Sequence, residues 1–279
     1  MKSDLTRISH CSAPIRLGVF VVILLLLWIP VAIPIYWALR SDPNLTTIVS
    51  MGLLYLEFIG LLFIWNRNIY GNFYWWKQYG LVLSKKNGFE YFQGLSLGLG
   101  FTFGLFVVES ILGWVNFSIP SLRIIQVIFE GLLSSSGIAF AEELLFRGWL
   151  LEELNRNYIS STVLWIDSLF FAGLHFVKPL AEVIRTFPQF PALLLLGLIL
   201  VWAKRSYGNR LGICIGLHGG LVWGYYILNV GQLLDYTEKV SPWITGIDNN
   251  PIAGVMGLLS LGILGFWIRK KAKINELYR

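Results

Sequence analysis

Long apolar stretches alternate with short polar segments along most of the 279-residue chain. A helix needs about 20 mostly apolar residues to cross a bilayer. Eight stretches approach or exceed that length, at residues 17–39, 45–65, 91–116, 124–156, 159–176, 190–203, 210–231 and 252–268. The fourth is longer than one crossing needs, and the sixth is short and bounded by prolines. The pattern predicts an all-α, polytopic membrane helix bundle of about eight transmembrane helices.

Composition and charge support a membrane protein. Hydrophobic residues make up 56% of the chain and charged residues only 14%, which leaves too little polar surface for a soluble protein of this length. With eight crossings, most Lys and Arg residues fall on the side that carries both termini, including Lys2 and Arg279. The positive-inside rule then predicts two cytoplasmic termini, in a plasma or inner membrane. Anchoring beside the bilayer explains the net charge of +6 without a nucleic-acid partner.

Three charged residues interrupt the fourth apolar stretch. Glu142 and Glu143 are adjacent, and Arg147 follows four residues after Glu143. An acid four residues before a base on a helix favours an ion pair, so Glu143 and Arg147 are predicted to neutralise each other. Glu142 points about 100° away from Glu143 and has no such partner. A solitary carboxylate in an apolar setting suits a general base or acid.

Two histidines lie in later apolar stretches at a matching depth. The fourth and fifth stretches turn around near residues 156–159, with Glu142 before the turn and His175 after it. At 1.5 Å rise per residue, both residues lie roughly 23–26 Å from that turn. His218 lies nine residues into the seventh stretch, which also places it in the cytoplasmic half of the membrane. Glu142, His175 and His218 are therefore predicted to meet inside the bundle as a candidate active site.

Neighbouring residues suggest how these histidines are held. Asp167, Phe171 and His175 recur every four residues, so Phe171 is predicted to stack against His175 while Asp167 lies too far away to touch it. Gly216, Gly219, Gly220 and Gly224 flank His218, which allows either close backbone approach or an open cavity for a substrate. In the third stretch, Gly94, Gly98, Gly100 and Gly104 form interleaved small-residue pairs that suit close helix packing.

The segments Glu142-Glu143-x-x-x-Arg147 and Phe171-x-x-x-His175, followed by His218, resemble the three motifs of the CPBP (Abi) family. This family comprises intramembrane CAAX prenyl proteases and bacteriocin-processing or immunity proteins. The resemblance covers roughly residues 91–231. It implies a protease core there, with a two-span extension and interfacial loop at 1–90, and a C-terminal loop, last span and basic tail at 232–279.

The resemblance also implies a function and residue roles. The protein would be an intramembrane endopeptidase that cleaves a peptide or prenylated protein near the cytoplasmic side of the bilayer. Glu142 would activate the attacking water with help from His175, and Glu143 with Arg147 would support them. His218 would stabilise the oxyanion or join Glu142 and His175 around a metal. Zinc is compatible with these residues but not required by them, since the chain has no HExxH.

One position departs from the family pattern. The third motif usually ends His-x-x-x-Asn/Asp, with the last residue assisting the oxyanion, whereas this chain has Val222 there. Trp223 or Asn229 is expected to replace the missing donor, or activity is expected to be weak. The alternative function is therefore a catalytically weak or inactive scaffold or immunity-type protein of the same fold. A transporter fits less well, because no internal repeat is evident.

Overall fold

A computed structural model describes residues 6–277 of the chain, with side chains described for residues 7–274. Lys2 and Arg279, which contribute to the charge prediction, lie outside the described residues. The chain divides into two compact units. Unit 1 comprises residues 1–78 and 152–158, and unit 2 comprises residues 79–151 and 159–279. The division at residues 90 and 231 inferred from the motifs stays a prediction about the limits of the protease core.

Unit 1 is built on two long apolar helices. Its elements are a 3-10 turn at Thr6–His10 and the helices α1 (Ala13–Ala38), α2 (Pro43–Ile69) and α3 (Trp75–Gln78). The interfacial loop expected within residues 1–90 includes the short helix α3. Asp42 caps α2 by accepting a hydrogen bond from the Leu45 amide at 3.0 Å.

A buried ion pair stabilises unit 1. The Arg16 Nε donates to Glu153 Oε2 at 2.7 Å, and both side chains are 2% exposed. Arg16 also donates to the Glu153 carbonyl at 2.8 Å and to Asn157 Oδ1 at 2.9 Å. The Tyr70 hydroxyl donates to the Glu153 carboxylate at 2.8 Å. Burial, followed by the negative charge of Glu153, raises the pKa of Tyr70 to about 12, so this donor stays protonated at neutral pH.

Unit 2 contains most of the helices and the only described strands. Its elements are α4 (Lys85–Ile111), β1 (Val115–Phe117), α5 (Ile124–Glu143), a π-helical turn (Leu144–Leu150), α7 (Ser160–Leu174), α8 (Leu180–Thr186), a 3-10 turn (Phe187–Gln189), α9 (Phe190–Ser206), α10 (Gly212–Val230), β2 (Leu234–Tyr236), α11 (Pro242–Thr245), two further 3-10 turns (Ile247–Asn249 and Pro251–Ala253) and α12 (Val255–Leu277). The short helix α6 (Leu151–Asn155) follows the π-helical turn in sequence, and all of it except Leu151 belongs to unit 1. Within unit 2, α10 packs along α4 and α5, and α9 packs along α7 and α12.

Six helical segments of the described residues are long and apolar enough to cross a membrane: 13–38, 43–69, 85–111, 124–155, 180–206 and 212–230. The predicted class, a polytopic membrane bundle of helices, is confirmed, but the count of eight is not. The fifth predicted stretch forms α7, which has only 15 residues. The eighth forms α12, which carries several basic residues between positions 269 and 273. The sixth stretch is extended by α8, because Pro188 lies in a 3-10 turn and Pro191 lies in the first turn of α9.

Glycines before and after His218 allow its helix, α10, to pack closely against α4. A Cβ atom added at Gly216 would lie 2.0 Å from the Tyr91 carbonyl oxygen, and one at Gly220 would lie 2.2 Å from the Leu95 carbonyl oxygen. These distances are far below van der Waals contact, so the two backbones approach more closely than any larger residue permits. On α4 the predicted glycines Gly94 and Gly98 lie in this contact, whereas a Cβ atom at Gly100 or Gly104 would meet nothing within 4 Å. The close contact positions α10, and with it His218, in unit 2.

The loop after β2 is tied to α10. Strands β1 and β2 pair antiparallel, with Val115 opposite Tyr236. The hydroxyl groups of Tyr225 on α10 and Tyr236 on β2 donate to the Asn249 carbonyl at 3.1 Å and 3.4 Å. Asn249 is left-handed, with φ of 59°, as is its neighbour Asp248. Residues 250–252, which follow in this loop, line a cavity together with residues of α10.

Candidate active site

Three ionisable side chains from separate parts of unit 2 meet at one point. Glu142 is on the last turn of α5, His175 directly follows α7, and His218 lies within α10. The Glu142 Oε2 atom is 4.0 Å from Nε2 of His175 and 4.0 Å from Nε2 of His218. This oxygen is buried and accepts no hydrogen bond from the described residues. The structure thus brings together the three residues whose depths were predicted to match, at separations that one bridging water can span.

Backbone contact fixes the orientation of the His175 ring. Its Nδ1 lies 2.7 Å from the Phe171 carbonyl oxygen. A carbonyl can only accept, so Nδ1 carries the hydrogen and Nε2 of the neutral ring offers a lone pair. That lone pair is on the nitrogen nearer Glu142. His175 is partly exposed, with 34% of its side chain accessible, and can therefore exchange protons with solvent.

The His218 ring is fixed by a carboxylate. Its Nδ1 lies 2.9 Å from Oε1 of Glu143. Glu143 is completely buried and His218 is 6% exposed, so this bond is shielded from water. The carboxylate accepts the Nδ1 hydrogen, which again turns Nε2 towards Glu142. Such a carboxylate–histidine contact selects both the tautomer and the ring orientation.

Arg147 is the centre of a buried charge cluster. Its guanidinium donates to Glu143 Oε1 at 3.1 Å and to the Gly197 carbonyl at 3.2 Å. Its Nε lies 3.5 Å from Oδ1 of Asp167, and its Cζ lies 4.3 Å from the centre of the Phe171 ring. The predicted pairing of Glu143 with Arg147 is therefore present. Sequence reasoning missed the contact with Asp167, because that residue was considered only against its own helix.

The segment that carries Arg147 is π-helical rather than α-helical. The π turn spans Leu144–Leu150, and the Leu151 amide donates to the Phe146 carbonyl, five residues back. The buried Lys204 ammonium donates to the Arg147 carbonyl at 2.6 Å. Single π turns within α-helices occur frequently at functional sites. Here the turn directly follows Glu142 and Glu143 and presents a backbone oxygen to a lysine.

The Phe171 ring contacts both histidines and also lies beside the Arg147 guanidinium. Its ring centre lies 4.9 Å from that of His175 and 5.9 Å from that of His218, both in edge-on arrangements. It also packs edge-on against Phe146 at 5.2 Å. The Phe171 side chain is completely buried. Phe171 contacts His175 as predicted, but edge-on rather than stacked, and the same ring limits the movement of His218.

Both histidines line a cavity of about 220 Å³. None of the described side chains that line it is an acid, a lysine or an arginine. The lining residues are Phe101, Thr102, Leu105, Phe171, His175, Leu193, Leu196, His218, Leu221, Val222, Tyr225, Asn250, Pro251, Ile252, Gly257, Ser260 and Leu261. An apolar cavity with a few polar groups at one end is the usual form of a binding site for an uncharged substrate segment.

The three positions considered for oxyanion assistance differ in their location and in their hydrogen-bond partners. Val222 lines the cavity but offers no polar hydrogen. The Trp223 indole Nε1 donates to the Ile128 carbonyl at 2.9 Å, so it is already used. Asn229 lies at a separate polar pocket with Gln232. The reason is helical geometry, since position 223 is turned by about 100° from 222 and position 229 lies about 10 Å further along the axis.

Asn250 is a polar cavity residue that the sequence motifs missed. Its Oδ1 accepts a hydrogen bond from the Ile252 amide at 3.2 Å, which fixes the orientation of the side-chain amide. Among the described residues, none accepts a hydrogen bond from its Nδ2. The only sequence signal was local, because Asn before Pro251 is typical of a cap at the start of a helical turn. No motif spacing connects it with the histidines.

A metal shared by Glu142, His175 and His218 does not fit their arrangement. Zinc binds nitrogen and oxygen at 2.0–2.2 Å, which sets tetrahedral ligands about 3.3 Å apart. Both carboxylate–imidazole separations are 4.0 Å. Across the described part of the chain, no three His, Cys, Asp or Glu side chains are arranged to hold a metal ion. The separations suit a water molecule between protein groups instead.

Comparison with protein families gives one match. Residues 124–229 match the family model described as "Type II CAAX prenyl endopeptidase Rce1-like". The matched region covers less than half of the chain and contains Glu142, Arg147, His175 and His218. No curated protein and no solved structure matches significantly. The family match and the apolar helices support an integral, multi-pass membrane protein with an intramembrane endopeptidase domain.

Proposed function

Because residues 124–229 form an Rce1-like domain of the type II CAAX prenyl endopeptidases, we propose that this protein hydrolyses a peptide bond with a water molecule activated by Glu142. The observation that carries the proposal is the meeting of one otherwise unbonded carboxylate oxygen with two histidine Nε2 atoms, each 4.0 Å away. A separation of 4.0 Å leaves room for one water that bonds to both groups, and the protons of that water are then within direct reach of Glu142 as general base.

In the proposed reaction, Glu142 takes one proton from the water while the water oxygen bonds to the substrate carbonyl carbon. His175 accepts a hydrogen bond from the second water hydrogen, because its own Nδ1 hydrogen is used on the Phe171 carbonyl. Glu142 then returns its proton to the leaving nitrogen, and the carbon–nitrogen bond breaks. The products are a carboxylic acid and an amine, so protons and electrons balance without a further reactant.

Two groups are proposed to stabilise the oxyanion. The Asn250 Nδ2 is on the cavity wall with both hydrogens unused by described residues, and it would replace the donor lost at Val222. When His218 carries a proton on each nitrogen, its Nε2 also donates, while the Glu143 carboxylate offsets the positive charge. Donors prearranged in a dry site stabilise developing charge more than water does.

The proposed substrate is a peptide segment with uncharged, apolar side chains, either prenylated or unmodified. The support is the cavity lining, which lacks acids, lysines and arginines among the described residues. A buried unpaired charge is costly, so charged side chains at the cleaved bond are expected to be rejected. The distribution of basic residues supports cleavage near the cytoplasmic side, with both termini cytoplasmic in a plasma or inner membrane.

The test uses the full-length protein in lipid nanodiscs with matched farnesylated and unmodified CaaX peptides, and mass spectrometry identifies the cleaved bond. Glu142→Gln and His175→Ala are expected to abolish cleavage. Glu130→Gln is the control, because Glu130 is on the same helix but exposed and bonded to Gln126 at 2.7 Å. Full activity of the Glu142→Gln protein would disprove the mechanism.

A second function, a non-proteolytic scaffold or immunity-type protein, is favoured by one observation: Val222 occupies the family's Asn/Asp position. Complementation of a deletion strain distinguishes the two. If Glu142→Gln complements as well as the unaltered protein, then binding, and not hydrolysis, is the function. If it fails while the protein reaches the membrane in normal amount, hydrolysis is required.

A further inference from the structure

A second cavity, of about 650 Å³, lies between α4, the start of α10 and the end of α12. Its walls include the apolar side chains of Leu97, Ile213, Trp267 and Ile268, and its lining also includes Lys270 and Lys271. None of these residues lines the cavity that contains the histidines. The groove therefore combines an apolar wall with two cations and is separate from the candidate active site.

Two nearby basic residues, Arg210 and Lys204, are already engaged. Arg210 donates to Glu90 through Nε at 2.7 Å, and Lys204 donates to the Arg147 carbonyl at 2.6 Å. Lys270 and Lys271 have no acidic partner within salt-bridge distance among the described side chains. Their charges are therefore available to a ligand.

One of the two lysines is held in position by an aromatic ring. The Lys271 ammonium lies 3.8 Å from the centre of the Tyr207 ring, which also lines the groove. A cation held over an aromatic face keeps its charge and loses little freedom when an anion binds. Lys270 is exposed on the neighbouring position of α12. Together they form a cationic rim beside an apolar wall.

We propose that this groove binds one anionic phospholipid, with its phosphate at Lys270 and Lys271 and an acyl chain against Leu97, Trp267 and Ile268. The apolar wall matches a hydrocarbon chain, and two cations without acidic partners match a net negative headgroup. Basic pockets between membrane helices bind anionic lipid headgroups in this way. A zwitterionic headgroup carries its own cation, which the two lysines would repel, so it is expected to bind more weakly. This site is independent of the proposed hydrolysis.

The experiment measures lipid retention by native mass spectrometry and unfolding temperature in detergent. The full-length protein is titrated with dioleoyl-phosphatidylglycerol, dioleoyl-phosphatidylcholine or inorganic phosphate. Phosphatidylglycerol is expected to be retained at one copy per chain and to raise the unfolding temperature more than the other two. The double variant Lys270→Gln/Lys271→Gln is expected to bind it about tenfold more weakly or worse, given about 1 kcal/mol per basic residue at an anionic surface.

Two further variants separate the specific site from general charge. Lys85→Gln/Lys86→Gln removes two exposed lysines from the start of α4, beside the start of α10, where the Gly212 amide donates to Asn87 Oδ1 at 2.8 Å. This protein is expected to retain the lipid. Leu97→Trp, which fills the groove, is expected to lose it with both lysines intact. Equal retention of the two lipids, equal stabilisation by phosphate, or equal loss in both lysine pairs would overturn the proposal.

Discussion

The Glu143 Oε1 atom accepts from Arg147 at 3.1 Å and lies 2.9 Å from Nδ1 of His218, 75 residues away in sequence. A single buried oxygen therefore joins the first and third motifs. Glu143 does more than neutralise Arg147, the only role that the sequence suggested for it. Its second contact sets the tautomer of His218 and turns Nε2 of that ring towards Glu142.

The first prediction concerns this contact. Glu143→Gln keeps the size of the side chain but removes the charge that holds the His218 ring, so kcat is expected to fall about 10–100-fold with little change in KM. Steady-state kinetics on a CaaX peptide separates the two constants.

Glu130→Gln, on the exposed face of the same helix, serves as the control and is expected to change neither constant. A loss of folded protein in Glu143→Gln without a change in kcat per folded molecule would show that Glu143 has only a structural role.

The second prediction concerns Arg147. Arg147→Met leaves Glu143 and Asp167 buried without their cation, and breaking a buried ion pair in this way costs about 3–5 kcal/mol. Thermal unfolding in detergent is expected to occur at a markedly lower temperature. Arg123→Met removes an exposed arginine at the start of the same helix and is expected to unfold like the unaltered protein.

The third prediction concerns Asn250. Asn250→Ala and Asn250→Asp both remove the Nδ2 donor, and loss of one oxyanion donor is expected to lower kcat about 100–1,000-fold. Adding Val222→Asn to Asn250→Ala is expected to restore part of the activity, because position 222 lines the same cavity. Unchanged kcat in the Asn250→Ala protein would exclude this residue as a donor.

The fourth prediction concerns the contact between α4 and α10. Gly220→Ala brings a Cβ atom to 2.2 Å from the Leu95 carbonyl oxygen, so α10 must shift. Overpacking of this kind costs about 1–3 kcal/mol. We expect a lower unfolding temperature and a lower kcat, since His218 moves with the helix. Gly100→Ala is the control on α4, because a Cβ there meets nothing within 4 Å. Equal effects of the two substitutions would contradict the packing argument.

Much of the fold and part of the site follow from local periodicity. Apolar length predicts the membrane helices, and helical rise predicts that Glu142 and His175 lie at one depth. Asn250 could not be found in this way, because a loop held by tyrosine hydroxyls positions it and no helical spacing does. The contact between Arg147 and Asp167 was missed for a related reason, since it depends on how two helices face each other.

The helix count shows a second limit. Hydropathy recognises an apolar stretch but does not state whether its helix is long enough to cross the bilayer. The fifth stretch forms a helix of only 15 residues. It ends at Leu174, directly before His175, whose ring bonds back to the Phe171 carbonyl. A hydrophobic average over the stretch does not reveal this boundary.

The π-helical turn restricts which mutations this region tolerates. The acceptor of the Lys204 ammonium is the Arg147 carbonyl, a main-chain group that no amino-acid replacement can remove. Insertion or deletion of one residue within Leu144–Leu150 would instead change the backbone hydrogen-bond register and leave that lysine without its acceptor. Over evolution, the length of this seven-residue turn is therefore expected to vary less than the identity of its apolar residues.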